Sequence, residues 1–237
     1  VTDSALNSNT AVSGGGALSV RAGGSLTLLR TDILNNTGLR GGGVFARDAT
    51  LIIDNSTLAG NQSTGADGGG IYTGDGTVSS IQNSTLRNNR STAQGGGIYF
   101  SRDSQSTIET VLLEDNRAQT NGGAIAVNGR GVRVVINNSQ ISSNRTDGDG
   151  GAVYTALGGQ TSVTNSSINN NIAQNNGGGL YVGSSSGLTI DRSILAGNQS
   201  GGNGGGISAR QEGQVLLSNS TLNGKIAGAN GGGLDLN

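Results

Sequence analysis

The sequence predicts an all-β protein: a single-stranded right-handed parallel β-helix, a β-solenoid of about 27 residues and three short strands per coil. Three observations lead there. Gly-Gly doublets followed by Gly or Ala begin at Gly14, Gly41, Gly68, Gly95, Gly122, Gly150, Gly177, Gly204 and Gly231, with steps of 27 except for one of 28 after Gly122. An aliphatic residue with Asn three places later recurs in phase with them, from Leu6–Asn9 to Leu195–Asn198. Between the two markers apolar residues alternate with period 2 and never with period 3.6, the signature of strands. Self-similarity at such a period marks a solenoid.

Each coil opens on its glycines, which permit a tight corner at positive φ. The first strand carries one inward aliphatic, as in Ile71, Ile98, Ile125, Val153, Leu180 and Ile207. The second carries a pair two apart, as in Leu51/Ile53, Val134/Ile136, Leu188/Ile190 and Val215/Leu217. The third places a small residue two before an aliphatic, as in Ser56/Leu58, Ser84/Leu86, Ser139/Ile141 and Ser166/Ile168, and ends at the Asn turn. A leucine-rich repeat shares this range of period, yet "NSTLRNN" has Ser where that pattern needs a second Leu. A left-handed hexapeptide helix would show a six-residue beat, and none is present.

One coil cannot fold alone. It buries about four aliphatic side chains worth roughly 1.5–3 kcal/mol each, while ordering each backbone residue costs about 1–2 kcal/mol. Stacking pairs every backbone with the coils above and below, so stability becomes a nearest-neighbour sum. At about 4.8 Å per coil the array spans roughly 38 Å.

A uniform repeat makes residues 1–237 one solenoid domain, with partial coils at both ends. There is no Cys and no His, which removes disulfides, thiolate metal sites and the commonest general base. Net charge is −1 with the charges scattered, so neither nucleic acid nor an anionic membrane is an expected partner. No apolar run approaches membrane-spanning length and no signal peptide is visible. The lack of any Met is expected of a processed product or a segment of a longer chain.

"GGAI" at Gly122–Ile125, "GGGIY" elsewhere and the aliphatic-x-x-Asn marker resemble the paired GGAI and FxxN motifs of polymorphic outer-membrane protein repeats, found in autotransporter-like passengers. Leu or Ile stands here where that family has Phe. The resemblance implies a secreted or surface-exposed bacterial β-helix, non-catalytic and engaged in adhesion or scaffolding.

Two columns stand out. Asn9, Asn36, Asn61, Asn89, Asn116, Asn144, Asn171 and Asn198 recur where a strand turns. An amide stacked on an amide can hydrogen-bond along the axis, so this column reads as a structural ladder. Phe45, Tyr72, Tyr99, Tyr154 and Tyr181 follow the first inward aliphatic and therefore point outward, with a break at Ala126. Such a stripe can stiffen the sheet by stacking, or it can contact sugar rings or a neighbouring surface.

No catalytic, cofactor or metal residues are expected. The best carboxylate cluster is a column of Arg21, Asp48, Asp75 and Arg102, better suited to a salt ladder than to a dyad. Asp54, Glu109 and Asp191 share another column several coils apart, and "DGD" at Asp147–Asp149 could form at most a weak calcium loop. The only insertion the glycine steps reveal is one residue in the Gly122 coil. The function expected is a non-enzymatic extracellular or cell-surface structural and adhesive element, with surface glycans or a host or neighbouring cell as partner. The alternative is a carbohydrate-active β-helix enzyme, a polysaccharide lyase or hydrolase. Chain ends in mid-coil, and Lys225 in the ninth ladder position, lead us to expect either end-to-end self-association into a filament or a segment of a longer β-helix.

Overall fold

The computed structural model describes residues 1–237 as a right-handed β-helix with no α-helix. No helix is long and apolar enough to cross a membrane. Every named strand pairing is parallel and joins neighbouring coils, as Ile98 does with Ile71 on one side and Ile125 on the other.

Three sheets wrap the axis. Nine strands, Leu18–Arg21 to Leu234–Leu236, form the sheet that follows the glycine corner. A 16-stranded sheet holds two segments per coil, such as Val78–Gln82 and Thr85–Arg87, united through the continuous first strand Ser25–Leu34. The third sheet consists of eight two-residue strands, Thr37–Gly38 to Ile226–Ala227. A typical coil thus has four strand segments where three were expected. The extra one escaped notice because its inward residues are small, as in Ser63, Ser91, Ala118 and Ala173, and make no apolar pattern.

The bend between the two segments of the large sheet is made by a residue at positive φ: Asn55, Asn83, Thr110, Asn138, Asn165, Arg192 or Asn219. Asn suits this conformation because its short side chain bonds locally. At the opposite corner Gly68 has φ +74°, and a Cβ on Gly69 would lie 2.1 Å from the carbonyl oxygen of Gly96 in the next coil. Backbones meet there too closely for any side chain.

The core is one continuous cluster of 33 buried residues in stacked columns. Ile53, Ile81, Ile108, Ile136, Val163 and Ile190 form one column and Leu58, Leu86, Leu113, Ile141, Ile168 and Leu195 another, all fully buried. Like stacks on like, so the shape of each layer repeats.

Equal glycine steps concealed two further irregularities. In the first coil Ala17 adds a residue before the strand. In the second the Asp48–Ala49 turn is one residue shorter than its neighbours, so Leu26 pairs with Leu51, 25 on, and Ile53 with Ile81, 28 on. A corner two residues shorter, Gly38 to Gly41 against Ser63 to Gly68, restores the beat.

Candidate functional site

The asparagine column is a hydrogen-bonded ladder. Asn36 to Asn198 are at most 1 % exposed, while Asn9 at the open end is exposed. Each Oδ1 accepts the backbone N–H and the Nδ2 of the Asn one coil earlier, as Asn116 Oδ1 does from Asn89 at 3.1 and 3.0 Å. Each Nδ2 also reaches back to the aliphatic carbonyl of the preceding coil, as from Asn116 to Leu86 O at 2.9 Å. At Lys225 the ladder stops. Its Nζ donates to the Leu195 carbonyl, as an Asn would, but ammonium supplies no acceptor for Asn198. Burial lowers this lysine to about 8.

Two more ladders were not read from the sequence. The residue before the glycine doublet forms one: Asn176 donates N and Nδ2 to Asp149 Oδ1, both at 2.9 Å, and Asn203 donates to Asn176 and Asn230 to Asn203. Its polarity is opposite, since the later coil donates to the earlier one. The recurrence of Asp67, Gln94, Asn121, Asp149, Asn176, Asn203 and Asn230 was the available signal. The other ladder is serine: the N–H of Ser139 donates to Ser166 Oγ, Ser166 to Ser193 and Ser193 to Ser220. Those serines had been read only as small. Val111 interrupts this column.

The aromatics form two stacks separated by Ala126, which pairs in register with Tyr99 and Tyr154. Ring centroids are 5.2 Å apart for Phe45–Tyr72 and 5.3 Å for Tyr72–Tyr99 and Tyr154–Tyr181. Arg21 covers the free face of Phe45 at 4.6 Å. Ring faces meet one another, and Phe45, Tyr99 and Tyr181 are buried, so solvent sees mainly edges. Desolvation raises all four phenols, Tyr154 to about 12.

Most carboxylates are individually engaged, although Asp48 of the expected column has no partner. Asp75 sits between Arg47 at 2.6 Å and Arg102 at 3.6 Å. Arg21 pairs in register with Arg47, one residue away from the column expected for it, because of Ala17. Asp54, Glu109 and Asp191 accept from the bend asparagines Asn83, Asn138 and Asn219 at 2.9, 2.6 and 2.9 Å. The Asn219 and Ser218 donors hold Asp191 below the usual carboxylate range. Of the "DGD" pair, Asp147 lies 3.2 Å from Arg117, while Asp149 belongs to its ladder. Nowhere do three potential metal-ligating side chains converge. Asp67 is the one carboxyl pushed up, by burial, against the opposing N–H of Gln94.

Two surface features remain. On the narrow sheet Arg90, Arg117 and Arg145 stand in register in three successive coils, all exposed. Like charges directly opposite destabilise a sheet, and only Arg117 has a carboxylate beside it. At the corner after the nine-stranded sheet lies a groove of about 570 Å³, lined by Tyr99, Arg102, Asn128, Arg130, Leu157 and Ser184 among others.

The family model described as right handed beta helix region matches residues 2–168, more than two thirds of the chain. No curated protein and no solved structure matches it.

Proposed function

We propose, from the premise that the chain belongs to the right-handed β-helix family, that it is a non-enzymatic structural and adhesive element, secreted or held on a bacterial cell surface. The observation that carries this reading is the set of hydrogen-bonded columns running along the axis. They link successive coils at several points around the perimeter, which suits a stiff rod. The nearest approach to a catalytic carboxylate pair is Asp48 and Asp75, in register in adjacent coils. Arg21 and Arg47 share their pocket, however, and Asp75 is held in salt contacts to Arg47 and Arg102. Asp54, Glu109 and Asp191 each accept from a bend asparagine. Glycoside hydrolysis typically uses two carboxyls flanking one bond, one of them free to carry a proton.

Contact is the second half of the role. Thirteen of the 14 basic residues are Arg, whose planar fork matches carboxylate and sulfate better than Lys does. The Arg90–Arg117–Arg145 row repeats at the coil spacing of about 4.8 Å and suits an anionic glycan laid along the axis.

The test is to bind the chain to immobilised polyuronate, with a neutral glucan as control, and to assay the polymer for new chain ends. Expected are reversible retention on the polyuronate that weakens with salt, loss of retention when all three arginines become Gln, and an intact polymer. Time-dependent release of ends, abolished by Asp75→Asn, would establish the enzyme instead.

A further inference from the structure

Three departures from the repeat converge on the corner groove. Ala126 leaves a gap in the aromatic column. In the same coil the turn Asn128–Gly131 holds one inserted residue, since Phe100 pairs with Val127, 27 on, while Ile108 pairs with Ile136, 28 on. In the next coil Leu157 takes φ +55° and stays 56 % exposed, a conformation and an exposure that both disfavour leucine. Ser184 holds that conformation one coil later with a smaller, polar side chain.

The arginines are placed by glycines. A Cβ on Gly129, at φ +140°, would come 2.9 Å from Arg102 Cγ, and one on Gly158 would come 3.5 Å from Arg130 Cγ. The absence of side chains there lets each Arg stem lie across the following coil. Arg130 has no carboxylate partner, and no carboxylate lines the groove. Glu212 sits outside the lining, accepting from Ser185 at 2.7 Å. Asn128 donates to Gln94 Oε1 at 3.1 Å, but its own buried Oδ1 receives no hydrogen bond. Strain and unsatisfied groups that gather at one place point to function.

We infer that this groove binds a pyranose sugar bearing one carboxylate or sulfate group. The unpaired Arg130 guanidinium offers bidentate donors to the anion, and Arg102, held only loosely by Asp75 at 3.6 Å, adds a second positive charge beside it. Leu157 and the edge of Tyr99 present apolar surface to the C–H face of the ring. Ser101, Ser184 and Asn128 offer neutral partners for its hydroxyls. The volume falls within the range of about 300–1,000 Å³ typical of ligand sites. This inference rests on the adhesive reading and gives it a ligand class.

The experiment is a titration of the isotope-labelled full chain followed by amide NMR, with glucuronate, glucose 6-sulfate, glucose, acetate and inorganic sulfate as separate probes. Expected are saturable shifts at Gly129, Gly158 and Ser184 with at least one of the two anionic sugars, which also identifies the preferred anion. Glucose should bind at least tenfold more weakly. Arg130→Gln should weaken the anionic sugar at least tenfold with an unchanged circular dichroism spectrum, and Leu157→Gly should weaken it while raising the melting temperature. Equal affinity for acetate or sulfate alone would mean an adventitious ion only and would overturn the inference. So would equal affinity for glucose, an unaffected Arg130→Gln, or no shifts with either anionic sugar. Release of chain ends from an oligouronide would instead sink the non-enzymatic reading while leaving the site in place.

Discussion

Replacing Asn116 by Ala removes the middle of the asparagine ladder, and the structure sizes the loss. Four hydrogen bonds go: those from Asn89 N and Nδ2 to Asn116 Oδ1, and those from Asn116 Nδ2 to Leu86 O and Asn144 Oδ1. Asn89 Nδ2 retains the Leu58 carbonyl at 2.9 Å, and Asn144 Oδ1 retains the N–H of residue 116 at 2.9 Å. The backbone N–H of Asn89, inside a residue 1 % exposed, loses its only recorded acceptor. A buried unanswered donor costs about 1–3 kcal/mol, and each bond lost elsewhere roughly 0.5–1.5 kcal/mol. Partial relaxation discounts the sum, so a loss of about 3–4 kcal/mol is expected. The control is Asn88→Ala, one residue away, exposed, at φ +54°. It forfeits the tolerance of Asn for that conformation and should cost only about 1 kcal/mol. Urea unfolding followed by far-ultraviolet circular dichroism separates the two. Equal midpoints, or a loss below about 1 kcal/mol for Asn116→Ala, would show that the ladder does not carry the coil-to-coil coupling assigned to it.

Thr110 occupies a bend where five other coils use Asn, at φ +56° with a β-branched side chain. Thr110→Asn should therefore stabilise the chain by about 1 kcal/mol, raising the melting temperature by about 2–4 °C; an unchanged or lower value would refute the strain. Alkaline pH should act in two phases. Lys225 titrates at about 8 when folded against 10.5 when free, so the unfolded chain holds the extra proton between those values and stability climbs with pH. The raised phenols act oppositely: from pH 10 upward the unfolded tyrosines ionise first, and stability falls toward the folded value of about 12 for Tyr154. Unfolding midpoints should rise from pH 8, turn down above 10, and lose their rise in Lys225→Met. A phenolate midpoint near pH 10 in native absorbance titration would contradict the desolvation.

Fold class, period and core were written locally, because a solenoid repeats one instruction. Each coil meets only its neighbours, so the spacing of Gly68 to Gly95 and the alternation around Ile71 and Leu86 sufficed to place them in columns. The Asn column was legible for the same reason: one residue type stood at one phase. The opposed ladder through Asn176 and the serine ladder through Ser166 were written just as regularly, but hydrogen-bond direction depends on where an N–H points after a turn, and only the folded backbone decides that. Tertiary structure also decided register where residue counts cancel, moving Arg21 opposite Arg47, and it turned the aromatic faces onto each other. The groove lay furthest beyond sequence reasoning. Arg102, Arg130, Leu157 and Ser184 come from successive coils, about 27 residues apart in the chain yet a few ångströms apart along the axis. A single inserted residue reads as noise along a line. In a stack it displaces one turn against its neighbours and opens a space between them.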